Sequence, residues 1–448
     1  MSEQTPTSVR TFPNDWVYQE IGPRIDMTTG PAFDSTRFDD DPSGIRLARG
    51  INITKGHFRW YPEITKYWPK VSPDIEKYLL HVNDVIIGMD GSLVGRNYAI
   101  VTSNDIPALL VQRVARLRPD ESLDARYLYY WIASEFWLAY VEVVKTHSGI
   151  PHISNGDIRE FKIGSPPLSE QRKIARILTT LDNLIEKTES LIAKYQAVKQ
   201  GMMHDLFTRG VDAHGKLRPP QSEAPELYKQ SELGWIPKDW GCRRLSEVVQ
   251  LQVGFAFKSS WFLDQGTMRL LRGENVGQGT PDWSDTKFLP SEMAWQFREY
   301  ALREGDVVIG MDRTFTKTGV KITQLREEDC PVLLVQRVGR FLPLHCESAF
   351  LRCFLDYERY HTDLARQQKG MDIPHLSQTE ILEPWISVPP SDEQNRLSTR
   401  LDSLNGTISS ELECLKKLNR TKSGLMHDLL TGRVRVKVEE SKEAAAHG

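Results

Sequence analysis

The 448-residue sequence predicts two tandem copies of a compact α/β (α+β) globular domain, each followed by a long helix, with the two helices packed on one another. Three observations predict this. A set of motifs returns once, about 223 residues later; a proline pair closes each set; and an apolar seam of helical period follows each pair.

The repeat keeps its order. RLARGINITKG at 46–56 recurs as RLLRGENVGQG at 269–279, DVIIGMD ending at Asp90 recurs as DVVIGMD ending at Asp312, and LLVQRV from Leu109 returns unchanged from Leu333. IPHIS at 150–154 answers IPHLS at 373–377, and MHDLFT from Met203 answers MHDLLT from Met426. One repetition at so long a period marks duplication of a whole domain with its connector, unlike the roughly 20 to 50 residue periods of solenoids. Two equivalent binding surfaces follow.

Each copy begins with short β-type runs such as DVIIG and ALLVQRV, turn signals, and aromatic-rich stretches such as YLYYWIASEFWLAYV, which together read as a mixed α/β domain. After Pro166-Pro167 and Pro389-Pro390 the composition turns helical, with Ser169 and Asp392 as expected N-caps. The first seam is Ile174, Leu178, Leu181, Ile185, Ile192, Tyr195, Met202 and Leu206; the second is Leu397, Leu401, Leu404, Ile408, Leu415, Leu418, Leu425 and Leu429. Both are broken at matching places, by Thr188 and Glu411 and by Lys199 and Lys422, so the simplest partner for each helix is the other. Mean helices run about 11 to 12 residues, whereas about 39 residues at roughly 1.5 Å each make a rod of about 58 Å, a spacer. The expected layout is a first domain at 1–167, a long helix at 168–207, a linker at 208–235, a second domain at 236–390, a second long helix at 391–431 and a flexible tail at 432–448.

Composition narrows the function. With 40% hydrophobic and 26% charged residues the chain is expected to fold. MSEQTPTSVRTF has no basic segment followed by an apolar one, and no apolar run approaches the roughly 18 residues of a membrane span, so a cytoplasmic location is expected. Cys242, Cys330, Cys346, Cys353 and Cys414 include no CxxC pair, which argues for reduced packing residues over a disulfide framework or zinc ribbon. With a net charge of −3 the chain as a whole is not basic, so any surface that meets a polyanion must be locally so. The GMD turns lack GxxxxGK[ST] and read as plain strand-ending turns. His152 and His375 beside proline read as structural, and the pairs His204-Asp205 and His427-Asp428 as helix ends or docking points; no metal is expected.

GFAFKSSWF at 254–262 with its counterpart GPAFDSTRF at 30–38, the RLLRGENV and RLARGINI strings, the GMD turns, the IPH motifs, and PPLSEQRKIARIL with PPSDEQNRLSTRL occur twice in one order. Over nearly its whole length the chain resembles the specificity subunits of type I restriction-modification systems. The resemblance implies two target-recognition domains, each reading one half of a split double-stranded DNA site, held apart by an antiparallel coiled coil that docks two methyltransferase subunits, with restriction and translocase subunits joining the complex. It also implies no catalysis by this chain. S-adenosylmethionine, ATP and magnesium would belong to the partner subunits and none to this chain, which has neither an NPPY-type tetrapeptide nor a Walker motif. The first copy departs from the second in its acidic run Asp34, Asp39, Asp40 and Asp41, where the second has Lys258.

Base reading needs side chains that reach base edges, Arg and Lys for guanine and Asn and Gln for adenine. The candidates are Arg46, Arg49, Asn52, Lys55, His57, Ser92, Arg96 and Asn97 in the first copy, and Lys258, Arg269, Arg272, Asn275, Arg313, Thr314 and Lys317 in the second. Positions shared by two domains with different targets cannot encode the difference, so the repeated Arg and Asn are expected to hold loops or phosphates. Specificity is expected where the copies diverge, GSLVGRN from Gly91 against RTFTKTG from Arg313. The competing readings are a methyltransferase or nuclease with unrecognised motifs, and a stand-alone DNA-binding scaffold or repressor.

Overall fold

The computed structural model describes residues 12–146, 149–316, 319–367 and 375–437; Lys317, Ile373, Pro374, the first eleven residues and the tail from 438 onward lie outside them. The chain divides into two compact units, Met1–Glu189 with Glu413–Gly448, and Ser190–Leu412. Each unit therefore takes part of both long helices.

In the first unit, strands Ile25–Thr29, Val114–Pro119, Val85–Gly88, Tyr98–Ile100 and Lys55–Gly56 lie side by side in that order, beside a three-stranded sheet of Tyr67–Trp68, Ile45–Ala48 and Ala108–Leu110. The second unit repeats this with Val249–Val253, Val338–Pro343, Val307–Gly310 and Ile322–Gln324, and with Lys287–Leu289, Met268–Leu271, Val332–Leu334 and Ala301–Leu302. The register repeats too. Ile25 faces Pro119 as Val249 faces Pro343, and Arg46 runs parallel to Ala108 as Arg269 does to Val332. DVIIG and DVVIG read as continuous apolar runs because Val85–Gly88 and Val307–Gly310 are buried along their whole length.

The aromatic stretch resolves into two helices, Ala125–Ile132 and Glu135–Val144, broken where Ser134 caps the second and its hydroxyl donates to the Trp131 carbonyl at 2.6 Å. Trp131, Trp137, Tyr127 and Tyr130 are fully buried there, as Trp240, Phe350 and Tyr360 are in the second unit. Cys353 is buried and its thiol is pushed up to about 12 by that burial; all five cysteines are free.

The long helices span Leu168–Thr208 and Ser391–Leu430. They start at the expected residues, 168 and 391, so Ser169 and Asp392, expected as N-caps, sit inside the first turn. Pro167 and Pro390 take the capping place, their carbonyls accepting the amides of Glu170 and Gln171 and of Glu393 and Gln394 at 2.9 to 3.1 Å. Both glutamines are structural: Gln171 accepts from the Asp124 amide and donates to the Pro166 carbonyl, each at 2.9 Å, and Gln394 does the same with Glu347 and Pro389 at 2.7 and 2.8 Å.

Within each unit the helices run antiparallel. In the first, Ile174, Ala175 and Leu178 share a core with Met426, Leu429 and Leu430, and Lys422 pairs with Asp182 at 2.5 Å. In the second, Met203, Leu206 and Phe207 share a core with Leu397 and Leu401. Ile192 and Ile408 are buried, and Leu181, Ile185, Leu404 and Leu415 are half-buried. The lysines that interrupt the seams are ion-paired, Lys422 as above and Lys199 with Asp356. The stretch 208–235 is not a plain linker: Tyr228–Ser231 and Gly234–Pro237 form a hairpin, and Val211 enters the second unit's core.

Candidate nucleic-acid interface

The repeated motifs converge in space. Gly30 donates to the Val114 carbonyl and Gln112 to the Pro31 carbonyl, while Gly254 donates to Val338 and Gln336 to Phe255. This stitches GPAF or GFAF to the LLVQRV strand. A Cβ on Gly30 would stand 2.3 Å from the Val111 carbonyl, and one on Gly254 2.2 Å from that of Val335, so both positions need glycine for close backbone approach.

The shared arginines and asparagines hold this framework. Arg46 donates to the Asn104 and Ile106 carbonyls at 2.9 and 3.0 Å and covers the Trp60 ring, as Arg269 donates to Glu328 at 2.7 Å and covers Trp283. Arg49 donates to the Ile64 carbonyl and Arg272 to Asp285. The buried Asn52 amide donates to Arg59 at 3.1 Å and Ile64 at 3.4 Å, and Asn275 to Asp282 and Asp285 at 2.9 and 3.1 Å. Asn52 and Asn275 are therefore corrected from candidate base readers to buried loop clips, because an amide with carbonyl partners and no solvent access cannot meet a base edge. Thr314 is corrected likewise, its side chain being fully buried.

Lys55, His57, Ser92, Arg96, Lys258 and Arg313 are exposed, and Asn97 is half-buried. Lys317 lies outside the described residues. The loops after the GMD turns differ in shape as well as sequence: Ser92–Arg96 forms turns, whereas Phe315–Thr316 pairs antiparallel with Gly319–Val320. The acidic run of the first copy is folded on itself. Asp34 accepts from the Thr36 hydroxyl and amide, which hold its carboxyl below the usual range, and Asp40 pairs with Lys66.

One constellation was not singled out from sequence. Asp90 accepts from Arg113 at 3.0 Å through one oxygen and contacts the His152 ring through the other; Asp312 does the same with Arg337 and, at 2.6 Å, with His375. The backbone places them, since Asp90 bridges His152, Asp312 bridges His375, and the Met89 and Met311 amides donate to the Arg113 and Arg337 carbonyls. Burial would raise the Asp312 carboxyl, but hydrogen bonds from Arg337 and His375 outweigh it and hold it below its ordinary value. Arg113 and Arg337 sit at φ 67° and 64°, and the residues after the aspartates, Gly91 and Arg313, at 95° and 47°. A non-glycine residue in that region costs on the order of 1 to 2 kcal/mol. The signal available in sequence was an arginine repeated inside LLVQRV, a motif unchanged between the copies.

Among the described residues no group of three or more His, Cys, Asp or Glu could hold a metal ion, and no helix is long and apolar enough to cross a membrane. His204 and His427 contact Tyr357 and Glu135, respectively.

Comparison with known proteins agrees with this architecture. The type I restriction modification DNA specificity domain matches residues 14–194 and again 237–420. The chain is 31% identical over 365 residues to the type I restriction enzyme MjaVIII specificity subunit of Methanocaldococcus jannaschii, covering 81% of each. It is 22% identical over 411 residues to the EcoBI specificity subunit of Escherichia coli, covering 90% of this chain and 82% of that one. The crystal structure of the type I restriction-modification S subunit from M. genitalium has the same fold, with a TM-score of 0.59 at 17% identity over 95% of this chain and 98% of that one. With the domain matched twice, at the two places where sheet register and motif order repeat, the chain belongs to the type I restriction-modification DNA specificity family.

Proposed function

We propose that this chain is the non-catalytic DNA-reading subunit of a type I restriction-modification complex in the cytoplasm. Each domain grips one half of a bipartite double-stranded site, and the paired helices set the spacing and dock two methyltransferase subunits, with restriction and translocase subunits completing the assembly. S-adenosylmethionine, ATP and magnesium serve those partners. The observation that carries the reading is one scaffold, in the same strand register twice, bearing different loops at the same point: turns at Ser92–Arg96, and strands Phe315–Thr316 and Gly319–Val320 paired antiparallel. A constant frame with a variable exposed loop is how a domain changes what it reads without changing how it folds.

The test transplants residues 313–319 onto 91–97 and maps methylated sites by methylation-sensitive sequencing in cells carrying the methyltransferase. One half of the recognised motif should change while the other stays. A motif unchanged in both halves refutes the assignment of specificity to these loops. Methyl transfer by the purified chain alone would favour the enzyme reading, and failure to capture a methyltransferase would favour the stand-alone scaffold.

A further inference from the structure

We propose that Arg113 and Arg337 form a duplicated phosphodiester-binding site, in which Asp90 with His152, and Asp312 with His375, fix the guanidinium so that each domain seats on the DNA backbone independently of sequence. The inference rests on the DNA-binding reading above and assigns the seating step to named atoms.

Geometry carries it. Each aspartate spends one carboxylate oxygen on the arginine and the other on the histidine, so the guanidinium is held from one side only. The arginine side chains remain 59% and 64% exposed while the aspartates are 16% and 26% exposed. The carboxylates are thus the inner partners and the guanidinium groups the outer ones. A guanidinium presents its donors in a planar fork that matches two phosphate oxygens, and a fixed fork loses little freedom on binding. The histidines act through the aspartates and are positioning residues.

Backbone strain points to the same place. Of the four non-glycine residues with positive φ among the described residues, three are Arg113, Arg337 and Arg313, all beside these two aspartates. Strain that recurs at one position of both copies is retained where the side chain's direction matters. Recurrence also selects the ligand. The flanking loops differ in sequence and shape, yet the cluster is the same in both, so it suits the part of DNA that does not vary, the phosphodiester. Its place beside the divergent loop puts a backbone-gripping group next to a base-reading surface.

The test uses the full-length chain and a short labelled duplex of random sequence, with affinity measured over a range of salt. For the wild type the logarithm of affinity should fall linearly with that of salt concentration; in the R113Q/R337Q variant the slope should shrink by about 1.8, at about 0.9 for each phosphate left unneutralised. The control K238Q, at an exposed lysine just after the strand Gly234–Pro237 and in none of the cluster contacts, should keep the wild-type slope. An unchanged slope in the double variant, or an equal reduction in the control, overturns the site while leaving DNA binding intact. A wild type that binds no duplex overturns both readings. Should the double variant fold poorly, phenylglyoxal labelling of the wild type decides: Arg113 and Arg337 should be protected by the duplex, and undiminished labelling overturns the proposal.

Discussion

Arg218 donates to both carboxylate oxygens of Glu393, at 2.5 and 2.9 Å, across 175 residues of chain. Glu393 also accepts from the Val211 amide at 2.7 Å and the Trp240 indole at 3.0 Å, and it is only 2% exposed. The other unit has the counterpart: Arg435 donates to Glu170 at 2.8 Å to each oxygen and to Asp15 at the same distance. The segment after each long helix thereby clips onto the start of the other.

Removing one partner of a buried pair strands the other, at a cost of about 3 to 5 kcal/mol. E393Q should therefore destabilise the second unit by an amount in that range, read by urea unfolding. E170Q should cost less, because Arg435 is 43% exposed whereas Arg218 is 12% exposed. The reverse ranking would contradict burial as the source of the difference.

Gly254→Ala and Gly30→Ala each push a methyl group into a backbone carbonyl, and overpacking of this kind costs about 1 to 3 kcal/mol. Gly406→Ala, in the second long helix where nothing lies within 4 Å, should instead stabilise by up to about 1 kcal/mol. Melting temperatures should move in opposite directions; a shared direction would refute the close-approach argument.

Burial, with a smaller push from Asp182, raises the Tyr98 hydroxyl from 10.0 to about 12. The folded state then keeps a proton that the unfolded chain loses, so this contribution to stability is complete below pH 10 and is lost as pH rises towards 12. Unfolding midpoints in denaturant should fall across that window, and Y98F should flatten part of the decline. A midpoint independent of pH there would show that Tyr98 ionises as freely folded as unfolded.

Inserting four residues into each long helix lengthens it by about 6 Å, comparable to roughly two base pairs. The preferred gap between half-sites, read from methylated genomic sites, should widen accordingly. An unaltered gap would deny the helices their role as the spacer.

The duplication, the alternation of sheet and long helix, and the buried face of each helix were legible from the residues alone, because a repeat and a 3.6-residue period are properties of order along the chain. The buried seam positions Ile174, Leu178, Leu397 and Leu401 follow from that period directly. Tertiary structure decided what depends on residues far apart in sequence. Asp90 meets His152 across 62 residues only because sheet register and a backbone bridge bring their turns together, and Asn52 became a buried clip when its loop closed over it. The left-handed backbone at Arg113 and Arg337, the proline carbonyls in place of Ser169 and Asp392 as caps, and the return of Arg218 and Arg435 to the opposite helix starts were likewise settled by packing, which residue type does not encode.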